Sequence, residues 1–440
     1  MDPELIALLM FVFLAIFIFL GFPLFAVLAG VSVIGGYLGW GSRVFSQMIL
    51  NTWSIMGSNV LPAVPLFVFM GTFMEASGVA ERAYTTIRII LGPVKGSLAL
   101  ATIIICTLFA AATGIVGASV TVMGLLALPS MLKYSYNKPL ATGTILAGGT
   151  LGILIPPSVL LILYGPLAGL PIPSLFAGAI LPGLLLSVLY IVYIIVICKL
   201  KPELAPSLPS EEMRYKIVDI LKMFTINVFP FIFVIILVLG SIILGVASPT
   251  EAASIGVIGS LGLAIIYRKL TWEKLKKSVY ETMIVTSFVI IITVAAKIFG
   301  GVFLALGGGN LITNFFLSLK IGSYGILSII LLLIFIMGFF LDWIPILLIF
   351  IPIVAPMVPK LGFDPLWFGI VVAVCLQTSF LTPPFAVSIF YLKGIAPPSV
   401  QLKDIYRGIT PFIILQIIGL IFTILFPQLV LWIPTAMGIY

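Results

Sequence analysis

The stretch that decides the fold is GTLGILIPPSVLLILYG, which runs from Gly149 to Gly165 inside a long apolar region. Proline has no backbone N–H, and its ring clashes with the preceding helical turn, so one proline in a helix interior costs about 3 kcal/mol. The consecutive residues Pro156 and Pro157 therefore predict that a long apolar helix is broken here. The question is what the exposed backbone at the break is for.

The composition places the chain in a membrane. Of its 440 residues, 62% are hydrophobic and 8% are charged, which excludes a soluble fold. Apolar runs of about 20 residues, long enough to cross a bilayer, follow one another along the chain. The first run, Leu5–Leu20, has no positively charged segment before it, so we expect a retained helix rather than a signal peptide. We expect a multi-pass protein of a bacterial or archaeal inner membrane.

The residue types argue against an enzyme. The chain has no histidine, which removes the commonest general base and metal ligand. Cys106, Cys198 and Cys375 lie far apart in apolar runs, so neither a disulfide framework nor a metal-ligand spacing is present. A membrane enzyme of lipid-linked substrates and a channel are weaker alternatives, because no catalytic arrangement and no pore motif is visible. We attribute the net charge of +8 to loop lysines that set the topology.

The chain matches itself at an offset of 226–227 residues. At this offset FPLFAVLAGV from Phe22 aligns with SPTEAASIGV from Ser248, and Pro156-Pro157 aligns with Pro383-Pro384. Matching leucines mean little in an apolar chain, but recurring proline pairs are informative. We predict two structural repeats, residues 1–215 and 216–440.

Each repeat is predicted to contain five membrane crossings and one re-entrant hairpin. The hairpins are 97–132 and 322–358, and the broken helices are 140–168 and 366–392. The remaining predicted spans are 4–21, 24–40, 59–79 and 174–198 in the first repeat, and 224–246, 250–267, 282–305 and 409–436 in the second. An odd number of crossings inverts the second copy. With both termini outside, the predicted cytoplasmic segments hold 18 of the 22 Lys and Arg residues, as the positive-inside rule requires. The predicted fold class is therefore an all-α polytopic membrane protein with an inverted repeat, Ser210 lying inside and Ser323 outside.

Broken helices in an inverted repeat are typical of secondary transporters. The N-terminus of one half-helix presents free N–H groups that suit an anion, and the C-terminus of the other presents carbonyls that suit a cation such as Na⁺. In lipid, such backbone is tolerated only beside protein or a water-filled cavity. The alternative is that each proline pair only kinks a helix. Hydroxyls next to the breaks belong to Ser158, Thr378, Ser379 and Thr382.

The hairpin tips carry the other candidate residues. ATGIVGAS, from Ala112 to Ser119, is a glycine- and hydroxyl-bearing interruption that predicts either a site or a close helix contact. FLDWIP, from Phe340 to Pro345, puts Asp342 at membrane depth, where a carboxylate is a functional candidate by default. For the deep Lys297, three roles stay open, namely snorkelling, pairing with a carboxylate such as Asp342, and contact with an anionic substrate.

Five motifs in order along the chain resemble the large (DctM-type) membrane subunit of tripartite ATP-independent periplasmic (TRAP) transporters. They are LPAVPLFVFMGTFMEASGVAERAY from Leu61, GGTLGILIPPSVLLILYG from Gly148, ASPTEAASIGV from Ala247, GFFLDWIPILLIFIPIVAPMV from Gly338 and LTPPFAVSIFYLKG from Leu381. The resemblance implies an elevator-type, Na⁺-coupled carrier of a small organic acid. It also implies a periplasmic substrate-binding protein and a small membrane subunit of about four helices, expected here as a separate polypeptide. The alternative is a standalone Na⁺-coupled di- or tricarboxylate symporter.

The resemblance also implies where Na⁺ binds, namely where the hairpin tips meet the breaks. The implied sodium ligands are Thr113, Gly114, Ser119, Gly152 and Pro156 in the first repeat, and Asp342, Thr378 and Thr382 in the second. The substrate-binding candidates are Ser158, Lys297, Gln377, Ser379, Pro383 and Pro384. CLQTSFLTPPF lacks a glycine that many members carry before Thr-Pro-Pro, as in members that look associated with 2-oxo or hydroxy acids.

Overall fold

The computed structural model describes residues 2–114, 116–207, 215–383 and 386–440, and these residues form helices joined by turns, with no strand among them. Their buried apolar side chains form one continuous core rather than two separate ones. The predicted all-helical membrane fold is therefore confirmed.

The described part of the first half contains ten α-helices. They include two helices joined at a tight turn and a helix interrupted at the first proline pair. In chain order they are α1 (Pro3–Phe19), α2 (Leu24–Trp40), α3 (Arg43–Met56), α4 (Ala63–Ala76), α5 (Val79–Ile90), α6 (Ser97–Thr113), α7 (Val116–Lys133), α8 (Lys138–Thr150), α9 (Val159–Ala168) and α10 (Ile172–Leu200).

The second half has a similar order of elements in the part that the structure describes. It again includes two helices joined at a turn and an interrupted helix. These elements are α11 (Ile217–Asn227), α12 (Phe229–Ile243), α13 (Pro249–Ile266), α14 (Trp272–Ala305), α15 (Gly308–Ser318), α16 (Gly322–Met337), α17 (Trp343–Val354), α18 (Pro365–Leu381), α19 (Val387–Ile395), α20 (Leu402–Leu425) and α21 (Gln428–Ala436).

Helices of the two halves begin at matching positions. Lys138 and Pro365, which begin α8 and α18, are 227 residues apart, and Val159 and Val387, which begin α9 and α19, are 228 apart. Offsets that differ by one residue therefore relate both parts of each interrupted helix. This correspondence supports two repeats, whereas their opposite orientation and the boundary near residue 215 stay predictions.

Several boundaries differ from the prediction. Helices α3, α5, α11 and α15 lie largely outside the predicted spans, because polar residues interrupt their apolar runs. Helix α14 begins at Trp272 rather than near 282, so its charged first turns are helical and not a loop. The predicted last span, 409–436, is two helices, since α20 ends at Leu425 and Pro427 precedes α21.

Length and composition identify the helices that can cross a bilayer. Within the described ranges five qualify alone, namely α7, α10, α13, α14 and α20. Two bent pairs raise the number to seven: α4 with α5, bent by 60°, and α11 with α12, bent by 40°. Shorter apolar helices of 10–17 residues include parts of the interrupted helices, namely α9 and α18, and the hairpin arms α6, α16 and α17, but also α1 and α2.

A close crossing of α8 and α20 ties the two halves together. A Cβ atom at Gly143 would collide with the carbonyl of Gly408, and one at Gly408 would collide with the carbonyl of Pro139. Small residues let membrane helices approach this closely, so the contact is made through backbone rather than side chains. The crossing places the first interrupted helix against the second repeat.

Candidate functional site

The tip of hairpin 1, which consists of α6 and α7, is formed by a left-handed glycine. Helix α6 ends at Thr113, and Gly114 follows with φ +60°, a conformation that glycine adopts without a Cβ clash. The Thr113 Oγ1 and Ser119 Oγ atoms lie 3.0 Å apart, and both side chains are buried. The tip therefore gathers two hydroxyl oxygens from the two arms of the hairpin.

Break 1, residues 151–158, interrupts the first broken helix as predicted. A single 3-10 turn, Leu151–Ile153, which includes the buried Gly152, follows α8 and packs against both arms of hairpin 1. The Pro156-Pro157 peptide bond is cis, and Ser158 is extended before α9 begins. Because the Ser158 hydroxyl donates to the Ile153 carbonyl, no side chain caps the N-terminus of α9.

The tip of hairpin 1 lies directly against break 1. A Cβ atom placed on Gly114 would lie 3.1 Å from the Pro157 carbonyl oxygen and 3.2 Å from the Val159 nitrogen. The tip therefore meets both a carbonyl and the N-terminus of α9. The structure thus brings Thr113, Gly114 and Ser119 close to the proline pair.

The oxygens at this first position are neutral. They come from the Thr113 and Ser119 hydroxyls and from backbone carbonyls such as that of Pro157. No cluster of three or more His, Cys, Asp or Glu residues exists in the ranges that the structure describes. Hydroxyl and carbonyl oxygens are hard ligands that suit a Na⁺ ion, whereas a transition metal prefers nitrogen or sulfur. The donor set therefore fits Na⁺.

Hairpin 2, which consists of α16 and α17, has a different tip. Asp342 is the N-cap of α17, and its carboxylate accepts a 2.8 Å hydrogen bond from the Trp343 N–H. The Asp342 side chain is half-buried. A carboxylate at a helix N-terminus is stabilised by the helix dipole, so Asp342 has a structural role in addition to any role as an ion ligand.

Break 2 follows α18, which ends at Leu381, and precedes α19, which begins at Val387. The Thr378 and Ser379 side chains are buried, and their hydroxyls donate to the Val374 and Leu376 carbonyls of their own helix. Thr382 donates to the Thr378 carbonyl at 2.8 Å. Pro383 is partly buried, and the predicted site residue Pro384 lies outside the described residues.

Hairpin 2 packs against α18 just before break 2. A Cβ atom on Gly338 would collide with the Ser379 side chain, so the end of α16 rests on this serine. Among the described residues no hydrogen bond joins Asp342 to Thr378 or Thr382. The second hairpin and break are therefore neighbours.

Two predicted substrate residues lie elsewhere. Gln377 is fully buried beside the Tyr190 hydroxyl of α10, which also lies beside Gln416 of α20. The Gln416 amide donates to Thr150 Oγ1 at 3.2 Å, so this polar group joins helices within the bundle. Lys297 is exposed on α14 and forms no ion pair with a described residue. Its exposure agrees with snorkelling and not with pairing to Asp342.

Comparison with a family model shows which family the chain belongs to. The model described as "Tripartite ATP-independent periplasmic transporter, DctM component" matches residues 9–429, nearly the whole chain. The chain belongs to this family. It is a TRAP transporter large permease, a multi-pass inner-membrane protein and not an enzyme.

Two relatives illustrate the range of this TRAP family. The C4-dicarboxylate TRAP transporter large permease protein DctM of Pseudomonas aeruginosa is 28% identical over 86% of this chain and 87% of its own length. The isethionate TRAP transporter permease protein DctMQ of Oleidesulfovibrio alaskensis is 30% identical over 96% of this chain. This chain covers 65% of the longer DctMQ protein.

A solved structure has the same fold. The crystal structure of the Alcanivorax borkumensis YdaH transporter superposes with a TM-score of 0.60 at 14% sequence identity, and 99% of each chain is covered. At this identity the likeness concerns the fold alone. It agrees with the membrane-protein architecture of the large permease.

One residue of the permease that sequence reasoning did not select lies beside the hairpins. The Tyr391 ring in α19 packs against Gly117 of α7, where a Cβ atom would be 2.9 Å from Cζ. Tyr391 also lies within electrostatic range of Asp342 in hairpin 2. The sequence contained one signal, because the repeat aligns Tyr391 with Tyr164, but nothing local predicts the contact with Gly117.

Proposed function

We propose that this large permease couples entry of Na⁺ to the import of a small organic acid, which a periplasmic binding protein delivers. The observation that carries the proposal is the contact between the tip of hairpin 1 and break 1. At this contact the Thr113 and Ser119 hydroxyls lie 3.0 Å apart, and Gly114, which follows Thr113, lies against the Pro157 carbonyl. Without histidine, a proton relay has few groups to run on, whereas neutral oxygens at helix ends suit Na⁺.

The same contact supports binding of an anion. Gly114 lies next to the first N–H groups of α9, and no side chain caps that helix. Free N–H groups and the positive end of a helix dipole favour a carboxylate. The organic acid would thus lie close to Na⁺, so that each ligand favours binding of the other.

We propose that the hairpins and the interrupted helices, together with α20 packed on α8, move as one body in an elevator mechanism. Hairpin 1 contacts α19 of the second half through Gly117 and Gly124, and α8 contacts α20 through backbone. Outside this body, α4 touches the tip, since a Cβ atom on Gly71 would lie 2.7 Å from the Thr113 Cα. Because Gly71 has no side chain, the tip can move along α4 at this contact.

The partners follow from the family. A large permease of this family works with a small membrane subunit and a periplasmic binding protein, and the isethionate relative is named as a fused DctMQ protein. For this chain we propose a small subunit of about four helices. We further propose that both chain termini face the periplasm, as the distribution of basic residues favours.

Reconstitution with components left out tests this proposal. Liposomes would contain the permease alone, the permease with its small subunit, or both with the cognate binding protein. Labelled succinate, malate, pyruvate, lactate and isethionate would be offered separately under an inward Na⁺ gradient. We expect uptake only with all three components, and none with a non-cognate binding protein. Robust uptake by the permease alone would instead support a standalone symporter.

A further inference from the structure

Tyr391 packs against hairpin 1. It lies in the second turn of α19, and its ring rests on the backbone of hairpin 1 at Gly117. A Cβ atom at Gly117 would come within 2.9–3.2 Å of three ring carbons, closer than carbon atoms normally approach. Glycine at this position therefore lets the ring sit flat against the hairpin, which fixes the direction of the phenol.

Tyr391 is only partly enclosed. The residue is 44% exposed, although the helix around it packs on α7. No described residue makes a hydrogen bond with its hydroxyl, and Asp342 of hairpin 2 lies within electrostatic range. The Asp342 carboxylate is itself held by the Trp343 N–H at the N-terminus of α17, so the helix dipole offsets part of its charge.

The matching tyrosine of the first repeat has a different environment. Tyr164 is fully buried, and its ring lies against Gly369 of α18. Its hydroxyl is enclosed and has no hydrogen-bond partner among the described residues. The two repeats therefore place the same residue type once inside the bundle and once at an accessible position against hairpin 1. Only the second can meet a ligand.

We propose that the Tyr391 hydroxyl donates a hydrogen bond to the carboxylate or sulfonate group of the transported acid. The inference rests on the proposed function, since it names a residue that recognises the substrate. A phenol donates well to an oxyanion, and its ring is already positioned by Gly117, so little side-chain entropy is lost on binding. Tyr391 thereby selects substrates that place an oxyanion between the two hairpins.

The test compares Tyr391→Phe with Tyr164→Phe in the complete three-component transporter. Tyr391→Phe keeps the ring on Gly117 and removes only the hydroxyl. We expect it to raise the KM for the transported member of the five-acid panel about tenfold, the loss of one hydrogen bond to a charged group, with little change in maximal rate. Tyr164→Phe should leave both values unchanged.

A second readout separates substrate contact from a structural effect. In a background without native cysteines, Tyr391→Cys should react with N-ethylmaleimide, and a saturating concentration of the transported acid should slow the reaction. Phe390→Cys, on the neighbouring exposed residue, should react at the same rate with and without the acid. An unchanged KM in Tyr391→Phe, or equal labelling of Tyr391→Cys with and without the acid, would contradict the inference while leaving the proposed function intact. If the unmodified transporter takes up no member of the panel, both the inference and the proposed function fail.

Discussion

The hydroxyl oxygens of Thr113 and Ser119 lie 3.0 Å apart across the tip of hairpin 1, with Gly114 between them in the chain. Neither residue is conspicuous in an apolar sequence, yet both are buried. Burying a hydroxyl without a partner costs free energy, and the Thr113 hydroxyl has two partners, since it donates to the Phe109 carbonyl and lies beside the Ser119 hydroxyl. This relationship underlies the first prediction.

Thr113→Val should weaken Na⁺ binding. The substitution removes the hydroxyl and keeps the shape of the side chain. We expect the Na⁺ concentration for half-maximal uptake to rise about tenfold, the effect of losing one polar ligand in a buried site. Thr293→Val is the control, because Thr293 is also buried and its hydroxyl bonds only to the Val289 carbonyl of α14. Equal Na⁺ dependence in the two variants would rule out Thr113 as a ligand.

Gly114→Ala should abolish Na⁺-dependent uptake through crowding at break 1. An alanine in the left-handed region costs roughly 1–2 kcal/mol, and its Cβ would press on the Pro157 carbonyl. Gly169→Ala carries the same backbone strain, with φ +69°, but has no atom within 4 Å of the new Cβ. The melting temperature in detergent should fall by a similar amount in both variants. Uptake should be lost in Gly114→Ala alone, and equal retention in the two would refute the crowding argument.

Asp342→Asn should change Na⁺ dependence before it changes expression. Asparagine is also a good N-cap, so α17 should still begin at Trp343, while the negative charge is removed. We expect a several-fold rise in the Na⁺ concentration for half-maximal uptake. Asp364→Asn is a matched control, because Asp364 is the N-cap of α18 and accepts from the Trp367 N–H at 2.9 Å. A normal Na⁺ response in Asp342→Asn would limit this residue to helix capping.

The predicted topology can be tested by thiol labelling in intact cells. Ser210, the position predicted to be inside, lies outside the described residues, so Glu273 at the start of α14 serves in its place. With native cysteines replaced, a membrane-impermeant maleimide should label Ser323→Cys from outside. It should label Glu273→Cys only after permeabilisation. Labelling of Glu273→Cys in intact cells would overturn the inverted arrangement.

Much of the helix plan could be predicted from the sequence, because membrane helices need long apolar runs and proline breaks them locally. The predicted span 24–40 coincides with α2, and the broken helix 140–168 corresponds to α8 and α9. The sequence does not predict amphipathic helices such as α3 and α5, because their polar residues interrupt the apolar runs. The predicted start of α14 is ten residues late for the same reason. Its charged first turns are helical and contain the Lys277–Glu281 ion pair, whose nitrogen and oxygen lie 3.7 Å apart.

The candidate site was predictable only in part. The meeting of hairpin 1 with break 1 follows from the family's architecture, and the glycine at the tip is visible in the sequence. The contact of Tyr391 with Gly117 joins residues from different repeats, and its position depends on how the halves pack. The burial of Gln377 beside Tyr190 likewise depends on which face of α18 turns inward. Periodicity does not decide this in a helix that is apolar on all sides.

Uptake under an imposed ion gradient tests directly whether Na⁺ entry drives import of the acid. The complete transporter would be reconstituted in liposomes, and uptake of the transported acid would be followed with an inward Na⁺ gradient, with equal Na⁺ on both sides, and with K⁺ in place of Na⁺. We expect accumulation only under the inward Na⁺ gradient. More than one Na⁺ should enter per acid molecule, and accumulation should be lost when an ionophore collapses the gradient. Undiminished accumulation in Na⁺-free buffer would contradict it.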